Sequence, residues 1–149
     1  MVQAAVDGAR AIVDELQAQN QLNIAVKEAH EATVCDLLAA DAYLFCAPEN
    51  LASLSGAMKE FFDRTYYGAL DQLNGRPYAL MISAGTDGSS AARQAERICT
   101  GWRLQLVAPV LIVQTGAQTA QAIAAPKTIK PEDRALCATL GGTLAALLL

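Results

Sequence analysis

Residues 41–67, which read DAYLFCAPENLASLSGAMKEFFDRTYY, constrain the fold of this chain more than any other stretch. Tyr43 to Ala47 form a short apolar run between Asp41 and Pro48, too brief for a helix and typical of a strand covered on both faces. Pro48 has no amide donor, so we expect the strand to end there. The residues up to Leu54 are then expected to form a polar loop, which is the first candidate for a functional site.

An amphipathic helix is predicted to follow this loop. Ser53 or Ser55 can cap its N-terminus. Apolar side chains recur on one face at the spacing i, i+3, i+4, i+8, namely Met58, Phe61, Phe62 and Tyr66. The opposite face carries opposite charges four residues apart. The pattern therefore predicts strand, loop and helix in that order.

The remainder of the chain continues this alternation. Predicted helices span residues 2–19, 31–40, 56–69, 91–103 and a last helix from 131, and predicted strands span 23–29, 43–47, 78–84 and 106–113. Pro109 interrupts the last strand, which indicates an edge or a bulge. The final helix is expected to bury Leu136, Leu140, Leu144 and Leu147. Such alternation predicts a single α/β domain with a parallel sheet and right-handed crossovers.

A second small, polar loop follows the strand at 78–84. It reads GTDGSS over residues 85–90 and leads into the helix at 91–103. Both loops follow the carboxyl ends of predicted parallel strands, which is where ligands bind in open α/β sheets. A single loop of this composition also caps helices in many proteins, so the pair is the stronger indication of a ligand site.

Composition excludes several classes of function. Hydrophobic residues make up 53% of the 149-residue chain, which is ample for one domain with a single core. The net charge of −4 gives no basic surface for nucleic acid or an anionic membrane. No apolar run reaches the roughly 18 residues of a membrane span, and the N-terminus lacks the basic region of a signal peptide. We therefore expect a cytoplasmic protein with no nucleic-acid or membrane partner.

Reactive side chains give no further motif. The four cysteines are widely spaced without a C-x-x-C pair, which argues against a zinc ribbon or a dithiol, and we expect them to be small buried hydrophobes. His30 is the only histidine, and H-E-x-x-H would need a second one where Val34 stands. No G-x-S-x-G, Walker or G-x-G-x-x-G motif occurs. The sequence thus assigns no catalytic or metal-binding side chain.

The segment PENLASLSGAMKEFFDRTYY carries a family resemblance. It is similar to the segment after the third strand in flavodoxin-like flavoproteins of the NAD(P)H-dependent FMN reductase group, including the tryptophan-repressor-binding-protein-type quinone oxidoreductases. In that group a proline-led loop, a serine-glycine and a Lys-x-Phe-x-Asp-like helix start wrap the flavin ring. The resemblance implies a flavodoxin-like three-layer sandwich with a parallel sheet in the strand order 2-1-3-4-5.

The same resemblance names the site residues. Main-chain amides of the first loop would lie along the isoalloxazine ring, and glycines of the second loop would permit close approach of the backbone. The cofactor-binding residues that it implies are Pro48, Glu49, Asn50, Leu51, Ala52, Ser53, Leu54, Ala84, Gly85, Thr86, Asp87 and Gly88.

One part of the family pattern has no counterpart in this sequence. A flavodoxin-like domain starts with a strand whose following loop binds the flavin phosphate, whereas Met1 stands where the first helix is already under way. That strand would lie between residues 23–29 and 43–47. Three explanations are open: a start codon assigned too late, a sheet that closes differently, or a strand from another chain. We favour the first, in which residues 1–149 are a single, N-terminally incomplete domain.

The resemblance implies an FMN-binding oxidoreductase of the NAD(P)H-dependent FMN or quinone reductase type. FMN would be the cofactor, NAD(P)H a co-substrate, and a small molecule such as a quinone the electron acceptor. Family members usually assemble as homo-oligomers, so we expect one here. Two alternatives remain: a flavodoxin-like electron carrier and a cofactor-free flavodoxin-like interaction domain.

Overall fold

The computed structural model describes residues 1–149 as alternating helices and strands. The helices are α1 Val2–Glu15, α2 Val34–Ala39, α3 Gly56–Ala69, α4 Ser89–Gly101, α5 Ala120–Ala124 and α6 Pro131–Ala146, and the strands are β1 Tyr43–Asn50, β2 Ser53–Leu54, β3 Pro77–Ala84, β4 Gln105–Leu106 and β5 Leu111–Gln114. The predicted α/β class is confirmed. None of the helices is both long and apolar enough to cross a bilayer.

Strand β3 is the centre of the sheet. It pairs in parallel with β1 on one side, from Tyr43 opposite Tyr78 to Pro48 opposite Ser83. On its other side it pairs in parallel with β4 near its start and with β5 near its end. The strand predicted at 106–113 is therefore two short strands, and Pro109 lies in the gap between them, as the sequence indicated.

Side chains of β3 alternate between two buried layers because successive residues of a strand point to opposite faces. Tyr78, Leu80 and Ile82 join a core with α3 and α4, whereas Ala79 and Met81 join a second core with α1 and α6. Residues 79–82 are at most 1% exposed. The result is the predicted three-layer sandwich, with helices on both faces of a parallel sheet.

The strand predicted at 23–29 is wrong. These residues have no regular secondary structure, and the stretch from Ala25 to Glu28 is exposed. A strand needs ladder hydrogen bonds to a neighbour, and no strand lies beside this segment. The C-terminal end of this segment is bonded to α3 instead, because Arg64 donates to the carbonyl oxygens of Ala29 at 3.0 Å and Ala32 at 2.8 Å.

Strand β1 leaves one edge without a strand. Over Tyr43–Ala47 its only strand partner is β3, and on the other side only Glu49 and Asn50 are paired, with β2. In the 2-1-3-4-5 order this free edge is where strand 1 of a flavodoxin-like sheet pairs. Helix α1 packs with α6 on one face of the sheet.

Helices α1 and α6 approach each other at backbone distance. A Cβ added to Gly141 would lie 1.9 Å from the carbonyl oxygen of Ala5, and one added to Gly8 would lie 1.9 Å from that of Ala138. Because the glycines of α6 must face α1, this contact determines which face of α6 is buried. The buried residues are Cys137, Leu140, Gly141, Gly142, Leu144 and Ala145. The predicted stripe is therefore only half right, because Leu136 and Leu147 are 52% and 58% exposed.

We predict that Gly141→Ala lowers the free energy of unfolding by about 1–3 kcal/mol, because the new methyl group meets a backbone oxygen that can move only with its helix. Gly56→Ala is the control, since a Cβ there meets nothing within 4 Å, and it should leave stability unchanged or raise it by up to about 1 kcal/mol. Urea denaturation followed by the fluorescence of buried Trp102 measures both. Equal stability of the two variants would contradict the close packing.

Candidate functional site

The two predicted loops lie at the same edge of the sheet. Strands β1, β3 and β5 are parallel, so their carboxyl ends all point the same way. Residues 48–54 follow the buried part of β1, and residues 84–88 link the end of β3 to α4. The structure therefore brings together the two sets of residues that the sequence predicted to bind a ligand.

The first of these segments is a β-hairpin and not a polar loop. Strand β1 continues through Pro48 to Asn50, and Glu49 and Asn50 pair with Leu54 and Ser53 of antiparallel β2. The prediction that Pro48 ends the strand is wrong because Pro48 needs no amide donor here, while its carbonyl oxygen accepts from the amide of Ser55 at 3.1 Å. Ser55 is the N-cap residue of α3, although its hydroxyl caps no amide.

The hairpin turns through two residues in left-handed conformation. Leu51 and Ala52 have φ of +51° and +57°, the signs of a type I′ turn. Such turns favour asparagine or glycine, and neither residue stands at these two positions, so the hairpin has no recognisable sequence signal. The Leu51 side chain is fully exposed at the tip. A strained, exposed tip at a sheet edge where ligands bind is typical of a functional segment.

The second segment enters α4 through a required glycine. Gly88 is the N-cap residue of α4 with φ of +92°, and a Cβ there would lie 2.5 Å from Cγ2 of Ile112. No side chain at this position caps the helix. The first turn of α4 therefore depends on acceptors from elsewhere in the chain for its amide donors.

Glu49 supplies those acceptors. Its Oε1 accepts from the amide of Gly88 at 3.0 Å, and its Oε2 accepts from the amide of Ala91 at 3.3 Å. In return, Gln94 of α4 reaches the hairpin, where its Oε1 accepts from the hydroxyl of Ser53 at 3.0 Å and the amide of Leu54 at 2.9 Å. The hairpin is thus joined by one hydrogen bond to Gly88 of the second loop and by three to α4.

Asp87 also points toward the start of α4. Its carboxylate accepts from the amide of Ser89 at 3.2 Å and from the hydroxyl of Ser89 at 2.9 Å. Its carbonyl oxygen accepts from Nε2 of Gln114 at 3.1 Å. Both carboxylates of the site, those of Glu49 and Asp87, are therefore engaged with the helix N-terminus, where negative charge is favourable.

Several main-chain donors at this edge have no partner in the protein. The amides of Gly85, Thr86 and Asp87 donate to no protein atom, and neither do those of Leu51 and Ala52 at the hairpin tip. Thr86, Asp87, Leu51 and Ala52 are exposed. Free amides on two adjoining segments suit a planar ligand with a row of polar acceptors along one edge, which is the character of an isoalloxazine ring.

An open groove of about 340 Å³ lies beside the second loop. The sequence pointed to two of its lining residues, Gly85 and Thr86, and missed those supplied by the end of β5 and the start of α6: Gln114, Thr115, Gly116, Gln118 and Lys130. The sequence did not identify these residues because the stretch 114–128 is low in charge and carries no motif. The register of β3 and β5 places these residues beside the second loop, because Ala84 pairs with Gln114 and the amide of Gly116 donates to the carbonyl oxygen of Gly85 at 2.8 Å.

Cys46, the cysteine nearest to the first segment in the sequence, has no activated thiol. Burial raises the pKa of the Cys46 thiol to about 11, so this thiol stays protonated at neutral pH. Cys99 and Cys137 are buried as expected for small hydrophobes. Cys35 is exposed, which corrects the expectation for that residue, because α2 is a short surface helix with one fully buried side chain, Leu37.

A comparison with protein families shows which family this chain belongs to. The sequence model of the NADPH-dependent FMN reductase family matches residues 7–123, which is most of the chain. The chain belongs to this family. The match spans both segments of the site, from the hairpin to the start of α4, and FMN is the cofactor to which their free amides are suited. Among curated protein sequences, none is significantly similar to this chain.

Solved structures show the same fold. A flavodoxin from the domain Archaea is 16% identical with a TM-score of 0.68, covering 98% of this chain and 89% of its own. A WrbA-like flavodoxin from Agrobacterium tumefaciens is 14% identical with a TM-score of 0.66, at 98% and 85% coverage. An oxidoreductase from Corynebacterium diphtheriae is 21% identical with a TM-score of 0.58, at 99% and 84% coverage. The flavodoxin-like fold is confirmed.

We predict that Ala52→Gly raises the free energy of unfolding by about 1 kcal/mol, because glycine adopts the positive φ of this turn without steric cost. Ala57→Gly makes the same chemical change at an exposed position in the first turn of α3 and should lower stability by up to about 1 kcal/mol. Thermal or urea unfolding of both variants provides the measurement. A destabilised Ala52→Gly would show that the turn is not left-handed.

Proposed function

We propose that this chain is an NAD(P)H-dependent flavin oxidoreductase that passes electrons from the nicotinamide to a quinone or a similar small acceptor. Membership of the NADPH-dependent FMN reductase family supports the cofactor and the electron donor. One structural observation supports the flavin site most directly. Three consecutive unpaired amides, from Gly85 to Asp87, lie beside a hairpin that is bonded to the same loop through Gly88.

The protein contributes binding and orientation. Bound FMN supplies the hydride and electron-transfer chemistry. The amides of Gly85, Thr86 and Asp87 would hold the polar edge of the ring, and the hairpin tip at Leu51 and Ala52 would cover one side of it. Amide donors aimed at the ring's carbonyl edge favour negative charge there without any movement of the protein.

No carboxyl, thiol or imidazole group is free to act as a proton donor beside these amides, and the one charged side chain that lines the groove there is Lys130. The carboxylates of Glu49 and Asp87 are both bonded to the first turn of α4. Cys46 is held protonated by burial, and the chain's one histidine, His30, lies in the exposed segment before α2. Proton exchange with solvent suffices for a ring whose other side is open to water.

The acceptor is proposed from the shape and polarity of the groove. It is open, of about 340 Å³, and lined by amide, hydroxyl and glycine groups together with one lysine, so a small polar ring system can approach the site directly. We also propose that the protein acts in the cytoplasm as a homo-oligomer, with a second copy covering part of the exposed ring. Light scattering after gel filtration tests the assembly.

We predict that residues 1–149 bind one FMN per chain, seen as quenching of flavin fluorescence on titration, and that NADPH or NADH then bleaches the flavin absorbance in a stopped-flow experiment. Reoxidation by a soluble quinone completes the test. Bound FMN that neither nicotinamide reduces would instead identify a one-electron carrier. Failure to bind any flavin would overturn the proposal.

A further inference from the structure

We infer that Glu49 is a positioning residue: its carboxylate binds the N-terminus of α4 and so fixes the hairpin and the second loop in the relative position that the flavin ring requires. This inference rests on the proposed function for its ligand, although the contact itself is a property of the free protein. It also changes the role that the family resemblance implied for Glu49, from direct contact with the cofactor to support of the residues that contact it.

The geometry singles out Glu49 among the residues of the hairpin. Both of its carboxylate oxygens accept main-chain hydrogen bonds from the residue at the N-cap and from the third residue of a 13-residue helix. Glu49 is half-buried and lies at the paired base of the hairpin, opposite Leu54, and not at the exposed tip. Charge-assisted hydrogen bonds to backbone amides are the stronger kind, and the helix dipole adds to them.

The contact also determines which donors remain for a ligand. Gly88 and Ala91 give their amides to Glu49, whereas the three amides just before them, from Gly85 to Asp87, stay unpaired. An anionic group of a ligand is therefore excluded from the first turn of α4, because a carboxylate already occupies it. The site that is left selects a neutral, hydrogen-bond-accepting edge, such as the carbonyl side of an isoalloxazine ring.

Gln94 makes the connection rigid from the other side. Its amide oxygen accepts from Ser53 and Leu54, the two residues that follow the hairpin turn, while Glu49 reaches in the opposite direction from β1 to α4. Because Glu49 and Gln94 each bond across from one element to the other, the hairpin cannot rotate relative to α4 as it could if a single side chain joined them. We therefore expect the loss of Glu49 to loosen Gly88 and its neighbours more than the loss of an ordinary surface carboxylate.

The test uses Glu49→Gln and Glu49→Ala in residues 1–149, with Glu60→Gln as a control that removes one charge from a surface ion pair in α3. Amide hydrogen exchange at Gly88 and Ala91, measured by NMR without flavin, reports on the contact itself. FMN titration reports on the consequence. Glutamine retains one acceptor oxygen and alanine none, so the two variants should form a graded series.

We expect exchange at Gly88 and Ala91 to accelerate about tenfold or more in Glu49→Ala and less in Glu49→Gln. The Kd for FMN should rise in the same order, by about tenfold for alanine, while Glu60→Gln matches the wild type in both measurements. Acetate, compared with chloride at equal ionic strength, should partly restore Glu49→Ala by supplying a carboxylate to the vacant amides.

Three results would overturn the inference. Unchanged exchange in Glu49→Ala would show that the carboxylate does not hold the helix start. Faster exchange with an unchanged Kd would show that the contact is structural only. Tighter FMN binding by either variant would show that the charge of Glu49 repels the cofactor. A wild-type protein that binds no flavin would refute the proposed function instead, and the exchange data would still decide whether the contact exists.

Discussion

The parallel pairing of β1 with β3 is the constraint on which the rest of the structure depends. Strand β3 is buried on both faces, so helices must cover both sides of it, and the chain supplies α1 and α6 for one layer and α3 and α4 for the other. The pairing from Tyr43–Tyr78 to Pro48–Ser83 also fixes where the two strands end relative to each other. The hairpin and the second loop become neighbours as a consequence of that register.

At this edge, both negative side chains bond to the start of α4 and leave the amides of residues 85–87 free. Glu49 and Asp87 both bind the start of α4, where the helix dipole favours their negative charge and their oxygens satisfy the helix amides. The unpaired amides of residues 85–87 are left as the available donors. The site thus gains its hydrogen-bonding character from main-chain groups, and its shape from glycine at position 88 and from the left-handed turn at Leu51 and Ala52.

Local patterns were sufficient to predict most of the elements. The apolar runs at 43–47 and 78–84 and the amphipathic pattern at 56–69 each determine their own structure, and all three form the predicted element, although the first strand continues to Asn50. Patterns that depend on a partner were less reliable. Residues 23–29 alternate like a strand but have no neighbour to pair with, and the stripe proposed for α6 was redirected by the close approach of Gly141 to α1.

The candidate site was predictable in position and not in detail. Strand ends followed by small, polar residues located both segments, and the family resemblance named them as flavin-binding. The hairpin could not be foreseen because its turn uses Leu51 and Ala52 at positive φ. The bonds from Glu49 to α4 and from Gln94 to the hairpin join residues about 40 positions apart, and no local pattern encodes such contacts.

We propose that main-chain amides on these two adjoining segments hold the flavin ring. The most direct measurement is the change in amide chemical shifts of the isotopically labelled protein on addition of FMN. We expect the largest shifts at Gly85, Thr86 and Asp87 and at the hairpin tip, with Gly88 and Ala91 still bonded to Glu49. Shifts confined to other regions, with these amides unchanged, would contradict it.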